Sequence, residues 1–276
     1  VTDLKDQKTE QTPEEETSEE QAAPEQKGLS RSGGGARKVA RYLTLPLVLV
    51  VICVGLYLWV GGMELDSIEQ RSLNRETIVQ NMVRHLELTA ATTITVVVLA
   101  VTAGVILTRP GLGRVSPYIV GISSIGQAIP SIGLLVLFAI WLGTGPFWAV
   151  VALVIYAFLP VLRNTMVGIQ QVDSAVIEAG RGMGMTKTAV LFRIELPLAI
   201  PIMLAGIRTA LILAVGTATL ATFTNAGGMG DMIDTGLSLS RDSILITGAL
   251  LTAVLALSVD YVAGIIEDIL KPKGLR

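Results

Sequence analysis

One cysteine and one histidine among 276 residues exclude an intrachain disulfide and leave too few thiolate or imidazole ligands to build a metal site. Aromatic residues reach only 5% and charged residues 16%, against roughly 25% charged in an average soluble domain. With a single histidine, His85, and no clustered carboxylates, little acid–base chemistry is open to the chain. No catalytic residues, cofactor, metal or nucleic-acid partner are therefore expected. The space left by charge is taken by aliphatic side chains: hydrophobic residues make up 51% and the mean hydropathy is +0.63. An aliphatic surplus with sparse charge points to a polytopic membrane protein. Cys53 lies in one of the apolar runs, as a small packed or lipid-facing side chain.

The charge that is present is unevenly placed. Residues 1–26 hold nine acids and two bases. Residues 1–36 carry almost no large apolar side chains, so they cannot bury enough surface to offset their ordering entropy. They are expected to form a disordered, acidic, cytoplasmic tail, either a solvated leader or a segment sensitive to ionic strength. Neither this leader nor the GGMELD exit from the first apolar run fits a signal peptide, so the first helix is expected to stay in place.

A span needs about 20 apolar residues to cross about 30 Å of hydrocarbon. Six runs qualify: 42–60, 87–108, 116–142, 147–162, 198–225 and 244–266. The expected fold is all-α with six transmembrane helices. Segment 61–86 has room for a short amphipathic surface helix, and 226–243 reads as a glycine-rich outer loop. With the N-terminus inside, the inner segments 27–41, 109–114, 163–193 and 271–276 carry five, two, four and three bases; the outer ones, 61–86 and 226–243, carry three and one. The positive-inside rule then puts both termini in the cytoplasm.

The glycines of GRGMGMTKT invite comparison with a phosphate-binding loop. That loop requires Gly-x4-Gly-Lys-Ser/Thr between a strand and a helix, but the required glycine positions hold Arg181 and Thr186, and no strand precedes them. Instead, Val172, Ala175, Val176 and Ala179 form a helical stripe. Gly180, Gly182 and Gly184 allow a sharp turn. Thr186 can cap a second helix, running through Val190, Leu191 and Ile194 to a boundary at Pro197. The unit is a helix–turn–helix at the inner membrane surface.

Glu178, Ala179 and Gly180, then Gly184 after three residues, then Ile194, Leu196 and Pro197 after nine more, resemble the EAA loop of bacterial binding-protein-dependent ABC importer permeases. Gly180 stands where the family has its third small residue. The runs GQAIPS, YAFLPVLRNT, GMGMT, PLAIP, AGIR and GGMGD resemble the osmoprotectant branch, from about residue 86 onward. The resemblance implies a five-helix type I permease core at 86–276, preceded by an added helix and extracytoplasmic segment at 37–85. It implies that loop 163–197 couples to a separate cytoplasmic ATPase subunit, and that an extracytoplasmic solute-binding protein delivers the substrate. A second permease chain, identical or related, would complete the path in the plasma membrane. The implied substrates are glycine betaine, choline, carnitine and proline betaine. Another small solute and a secondary transporter are the alternatives.

Pro130 removes one helical hydrogen bond and bends its helix, and it joins Ser123, Gln127, Ser131, Thr217, Thr222 and Asn225 as candidate path residues. Equally, such hydroxyls bond their own helices or join neighbouring ones. Arg208 and Asp260 fall within apolar spans at matching depth, where ionisable groups are usually paired or functional. They form either an ion pair between spans or two side chains that reach the inner interface separately.

Overall fold

The computed structural model describes residues 34–270, with side chains from Leu43 onward. The expected tail thus lies outside the described residues except at its end, where Gly34–Ala36 join the first helix; the bases at 271–276 also lie outside. The helical bundle is formed by the residues from Tyr42 onward.

All regular structure among the described residues is helical: α1 (Gly34–Gly61), α2 (Ser67–Ser72), α3 (Arg75–Leu107), α4 (Ser116–Ala128), α5 (Ser131–Trp141), α6 (Pro146–Gln170), α7 (Ser174–Gly182), α8 (Lys187–Val190), α9 (Leu196–Ala218), α10 (Gly230–Ser238) and α11 (Asp242–Leu270). A π turn, Leu191–Glu195, joins α8 to α9, and a 3-10 turn, Thr219–Thr224, extends α9. Hydrocarbon cannot satisfy backbone groups, so helices that satisfy their own are the natural spanning form. Among the described residues, five helices are long and apolar enough to cross a membrane, or six if the bent pair α4–α5 counts as one span.

That pair corrects the expected third span. The sequence reading had one bent helix at 116–142; the structure breaks it, with a 92° turn between α4 and α5. Pro130 restricts its predecessor as well as itself, and both Ile129 (ψ 133°) and Pro130 (ψ 127°) are extended. The fourth span is also longer than 147–162, since α6 runs past Arg163 to Gln170. One exposed charge does not end it, because Thr165, Met166, Gly168 and Ile169 continue its buried stripe.

The centre is a three-helix seam of small residues, as close backbone approach in membranes requires. A Cβ on Gly104 of α3 would lie 2.7 Å from Thr165 of α6, and one on Gly168 of α6 would lie 3.1 Å from the Ala199 carbonyl of α9. On Gly206 of α9 it would sit 2.5 Å from Asn164 Cβ. Val96, Ala100, Ala157, Val161, Leu162 and Ala210 fill the space between them. Leu56 of α1 packs with Met229, Met232, Ile244, Leu251 and Leu255 on the α10–α11 side.

The segment after α1 holds only the six-residue α2, closed by a capping box between Asp66 and Glu69; α3 already starts at Arg75 behind the cap Asn74. Asp66 pairs with Arg241 at 2.7 Å, and the Ser243 hydroxyl donates to Glu69. These two contacts clasp α2 to the start of α11. The glycine-rich loop becomes a turn through Gly227 and Gly228, both at positive φ, followed by α10.

Candidate coupling site

Between α6 and α9 the chain builds a compact surface unit. Asp173 caps α7 by accepting from the Ala175 N–H at 2.9 Å. The helix ends in a glycine stop: the Met185 N–H donates to the Gly180 carbonyl at 3.2 Å and the Gly184 N–H to Arg181 at 2.9 Å. This is the paired bonding of a Schellman motif, with Gly184 in the left-handed position that glycine favours, at φ 84°. Gly180 serves a different purpose. A Cβ there would lie 2.5 Å from Ile194 Cδ1, so its missing side chain lets α7 rest on the following turn. Thr186 then caps α8 through the Ala189 N–H.

Pro197 is not the boundary that the sequence suggested. The helical path is unbroken from Lys187 to Thr224, one 38-residue rod. The physical reason is the π turn. Leu196 N–H reaches back to the Leu191 carbonyl, and Pro197 sits in the first turn of α9, where a missing N–H is tolerated.

Glu178 and Ala179 are exposed, and the expected stripe of α7 turns away from its own chain. Val176 is 43% and Met183 77% exposed, with Phe192 of the π turn at 63%. The apolar face of the unit therefore has no cover among the described residues. Ile194, Leu196 and Pro197 are partly buried on the rod side.

Sequence reasoning missed the tie beneath this unit. Arg109, just past the end of α3, donates through Nη2 to Glu195 Oε2 at 2.6 Å. The Glu195 side chain is only 8% exposed. The available signal was an acid inside the apolar run FRIELPLAI, which needs a cation when buried. His85 was also passed over as a site: it is fully buried, with Nε2 3.0 Å from the Val215 carbonyl. Its Nδ1 accepts from the Met229 N–H at 3.4 Å.

Arg208 and Asp260 meet: Arg208 Nε donates to Asp260 Oδ1 at 2.6 Å and Nη2 to Oδ2 at 2.8 Å, a two-pronged pair between α9 and α11. Glu267 joins at 3.3 Å. The path candidates are not gathered in one place. Ser123 donates to the Ile119 carbonyl and Thr217 to Leu213, each within its own helix. Gln127, Pro130 and Ser131 surround the α4–α5 break. Thr222 donates to Asp231, and Asn225, left-handed at φ 56°, lines a polar cleft of about 580 Å³ with Gln80, Asn81, Arg84, Glu87 and Asp231.

A bundle of helices able to span a membrane, with a surface helix–turn–helix running unbroken into one of them, defines a polytopic membrane protein whose surface unit is continuous with a span. The chain belongs to the family of binding-protein-dependent transport system inner membrane components, whose model matches residues 100–272. It is 39% identical over 193 residues to the carnitine transport permease protein OpuCB of Listeria monocytogenes, covering 70% of this chain and 88% of that one. The glycine betaine/carnitine/choline transport system permease protein OpuCB of Bacillus subtilis is 42% identical over 192 residues, with 70% and 88% covered. The osmoprotectant import permease protein OsmY of Salmonella typhimurium is 36% identical over 221 residues, with 79% and 92% covered. Among solved structures, an inward-facing MetNI methionine ABC transporter chain matches with a TM-score of 0.64 at 23% identity, over 71% of this chain and 96% of that one. That likeness carries the fold, a type I ABC importer permease.

Proposed function

We propose that this chain is the membrane-spanning subunit of an ATP-driven importer for quaternary-amine osmoprotectants, the class of glycine betaine, choline, carnitine and proline betaine. The relatives that carry such substrates in their names align over most of their length. ATP is hydrolysed on a separate cytoplasmic chain, and an extracytoplasmic binding protein supplies the solute. The observation that carries the coupling role is the surface unit: its uncovered face of Val176, Met183 and Phe192 suits a partner groove, and its rod continues as α9. Glu178, Ala179, Gly180 and Gly184 present that face, while Ile194, Leu196 and Pro197 join it to the span. Taking α4–α5 as one span sets this unit on the same side as both termini, in the cytoplasm, in line with the distribution of Lys and Arg.

A second permease chain completes the path. Non-helical backbone at membrane depth is tolerated only where protein covers it or a water-filled cavity meets it. Ile129 and Pro130 are exposed in this single chain, so the break is the natural place for that cavity. Ser123, Gln127, Pro130 and Ser131 would line it, with Thr222 and Asn225 at the outer cleft and Thr217 beneath. Residues 1–36 form the cytoplasmic tail, 37–85 the added helix and its outer segment, and 86–276 the permease core.

Reconstitution with the ATPase subunit and binding protein, followed by uptake of labelled betaine, choline and carnitine, tests the reading. ATP-dependent uptake of at least one is expected. Uptake without ATP would make the chain a secondary transporter, and ATP-dependent uptake of a different solute alone would overturn the substrate class.

A further inference from the structure

The rod from Lys187 to Thr224 departs from α-helical bonding where the surface unit meets the span. Between Leu191 and Glu195 the ladder widens to π bonding, and Pro197 offers no N–H to the Arg193 carbonyl. A push on α7, which bears on Ile194 and Val190 through Gly180, would bend the rod there unless something braced it. Glu195 closes this turn, and Arg109 holds Glu195 from the side at 2.6 Å. The guanidinium is itself pre-positioned: Nε donates to the Val105 carbonyl at 3.2 Å and Nη2 to Thr108 Oγ1 at 3.1 Å. A charge-assisted hydrogen bond to a largely desolvated carboxylate is among the stronger non-covalent ties available.

The braced helix leads to the opposite surface. At its outer end α3 carries His85, bonded to Val215 of α9, and Arg84, whose Nε donates to the Ala226 carbonyl at 3.0 Å. Ala226 begins the glycine turn beside the outer cleft, which Arg84 also lines. Resting on the coupling reading above, we infer that Arg109 and Glu195 form a strut that makes α3 and α9 move as one body, carrying displacement of the surface unit to the outer cleft. Both are positioning residues, acting through the helices rather than on the solute.

The test measures solute taken up per ATP hydrolysed in the reconstituted complex, with retention of the ATPase subunit as the assembly control. Glu195→Gln and Arg109→Gln are expected to keep the ATPase subunit and to hydrolyse ATP, while uptake per ATP falls about tenfold, the scale of losing a charge-assisted hydrogen bond. The exchange Arg109→Glu with Glu195→Arg is expected to recover most of the ratio. If a single variant does not assemble, Glu195→Asp, which keeps the charge but withdraws it by one methylene, is read by the same ratio. A wild-type ratio in the assembled variants overturns the strut. So does a loss of uptake and hydrolysis in strict proportion, which marks a merely structural tie. Gly184→Val separates the two readings. If it loses stimulated ATPase and uptake together while Glu195→Gln keeps the wild-type ratio, the strut alone falls; if it keeps both activities at the wild-type level, the coupling reading fails.

Discussion

Two glycines of α9 offer a controlled test of the central seam. Gly206 is buried, and a Cβ there would stand 2.5 Å from Asn164 Cβ and 2.9 Å from the Pro160 carbonyl oxygen; Gly216 has nothing within 4 Å. Carbon–carbon contacts settle at about 3.5–4.0 Å, so Gly206→Ala must part α6 and α9 by about 1 Å. Neither obstacle is the free end of a flexible side chain. Overpacking of this kind costs about 1–3 kcal/mol, against about 1 kcal/mol gained when alanine replaces glycine within a helix. Gly216→Ala receives the gain without the clash. The difference between the two variants therefore isolates the overpacking, about 1–3 kcal/mol. At about 2–4 °C per kcal/mol for a chain of this size, Gly206→Ala should melt several degrees below Gly216→Ala. Thermal unfolding in detergent, followed by far-UV circular dichroism, measures this. A Gly206→Ala midpoint equal to or above that of Gly216→Ala would refute the close-packed seam.

At the surface unit, Gly184→Val forces a β-branched residue to φ 84°, at a cost of about 1–2 kcal/mol. Binding-protein-stimulated ATPase and uptake should fall together, whereas Gly184→Asn should stay near wild type in both assays. Asp260→Asn leaves Arg208 without its two-pronged partner and should lower the melting point. Exchanging the charges, Arg208→Asp with Asp260→Arg, should recover at least half of that loss; no recovery would mean that their contact is incidental. The clasp on α2 should be acid-sensitive. The Glu69 backbone N–H holds Asp66 below its ordinary 3.8, and the Ser243 hydroxyl holds Glu69 below its ordinary 4.5. Depressed carboxylates stabilise the fold above their ordinary values and lose that contribution as pH falls through the lowered ones. Amide protection around residues 63–73 should thus be steady near neutrality and drop below about pH 4. Protection unchanged down to pH 2 would count against the clasp.

Much of this molecule was legible along the chain because the bilayer imposes a local rule. A span must be long, apolar and internally bonded, so the helices were visible as runs of Val, Leu, Ile and Ala. The surface unit was legible for an equally local reason. Gly184 at the stop, Thr186 at the cap and the spacing of Ile194 to Gly180 are all decided within a score of residues. Three features were decided elsewhere. Pro130 announced a bend, but the size of the break depends on what α5 packs against beyond it, Leu134 and Leu135 lying in a cluster with Leu88 and Leu153. Pro197 carried a correct local warning that a neighbouring π turn set aside. The Arg109–Glu195 tie joins residues far apart in sequence, and no periodicity encodes which distant cation answers a buried acid. The sequence alone determined which segments are long and apolar enough to span a membrane, and where the first surface helix stops and the second begins, since each backbone group must be satisfied within a turn or two of itself. Only the tertiary structure decided which charges meet, how sharply α4 turns into α5, and that the surface unit and α9 are one rod, because those depend on neighbours that the chain reaches only after folding.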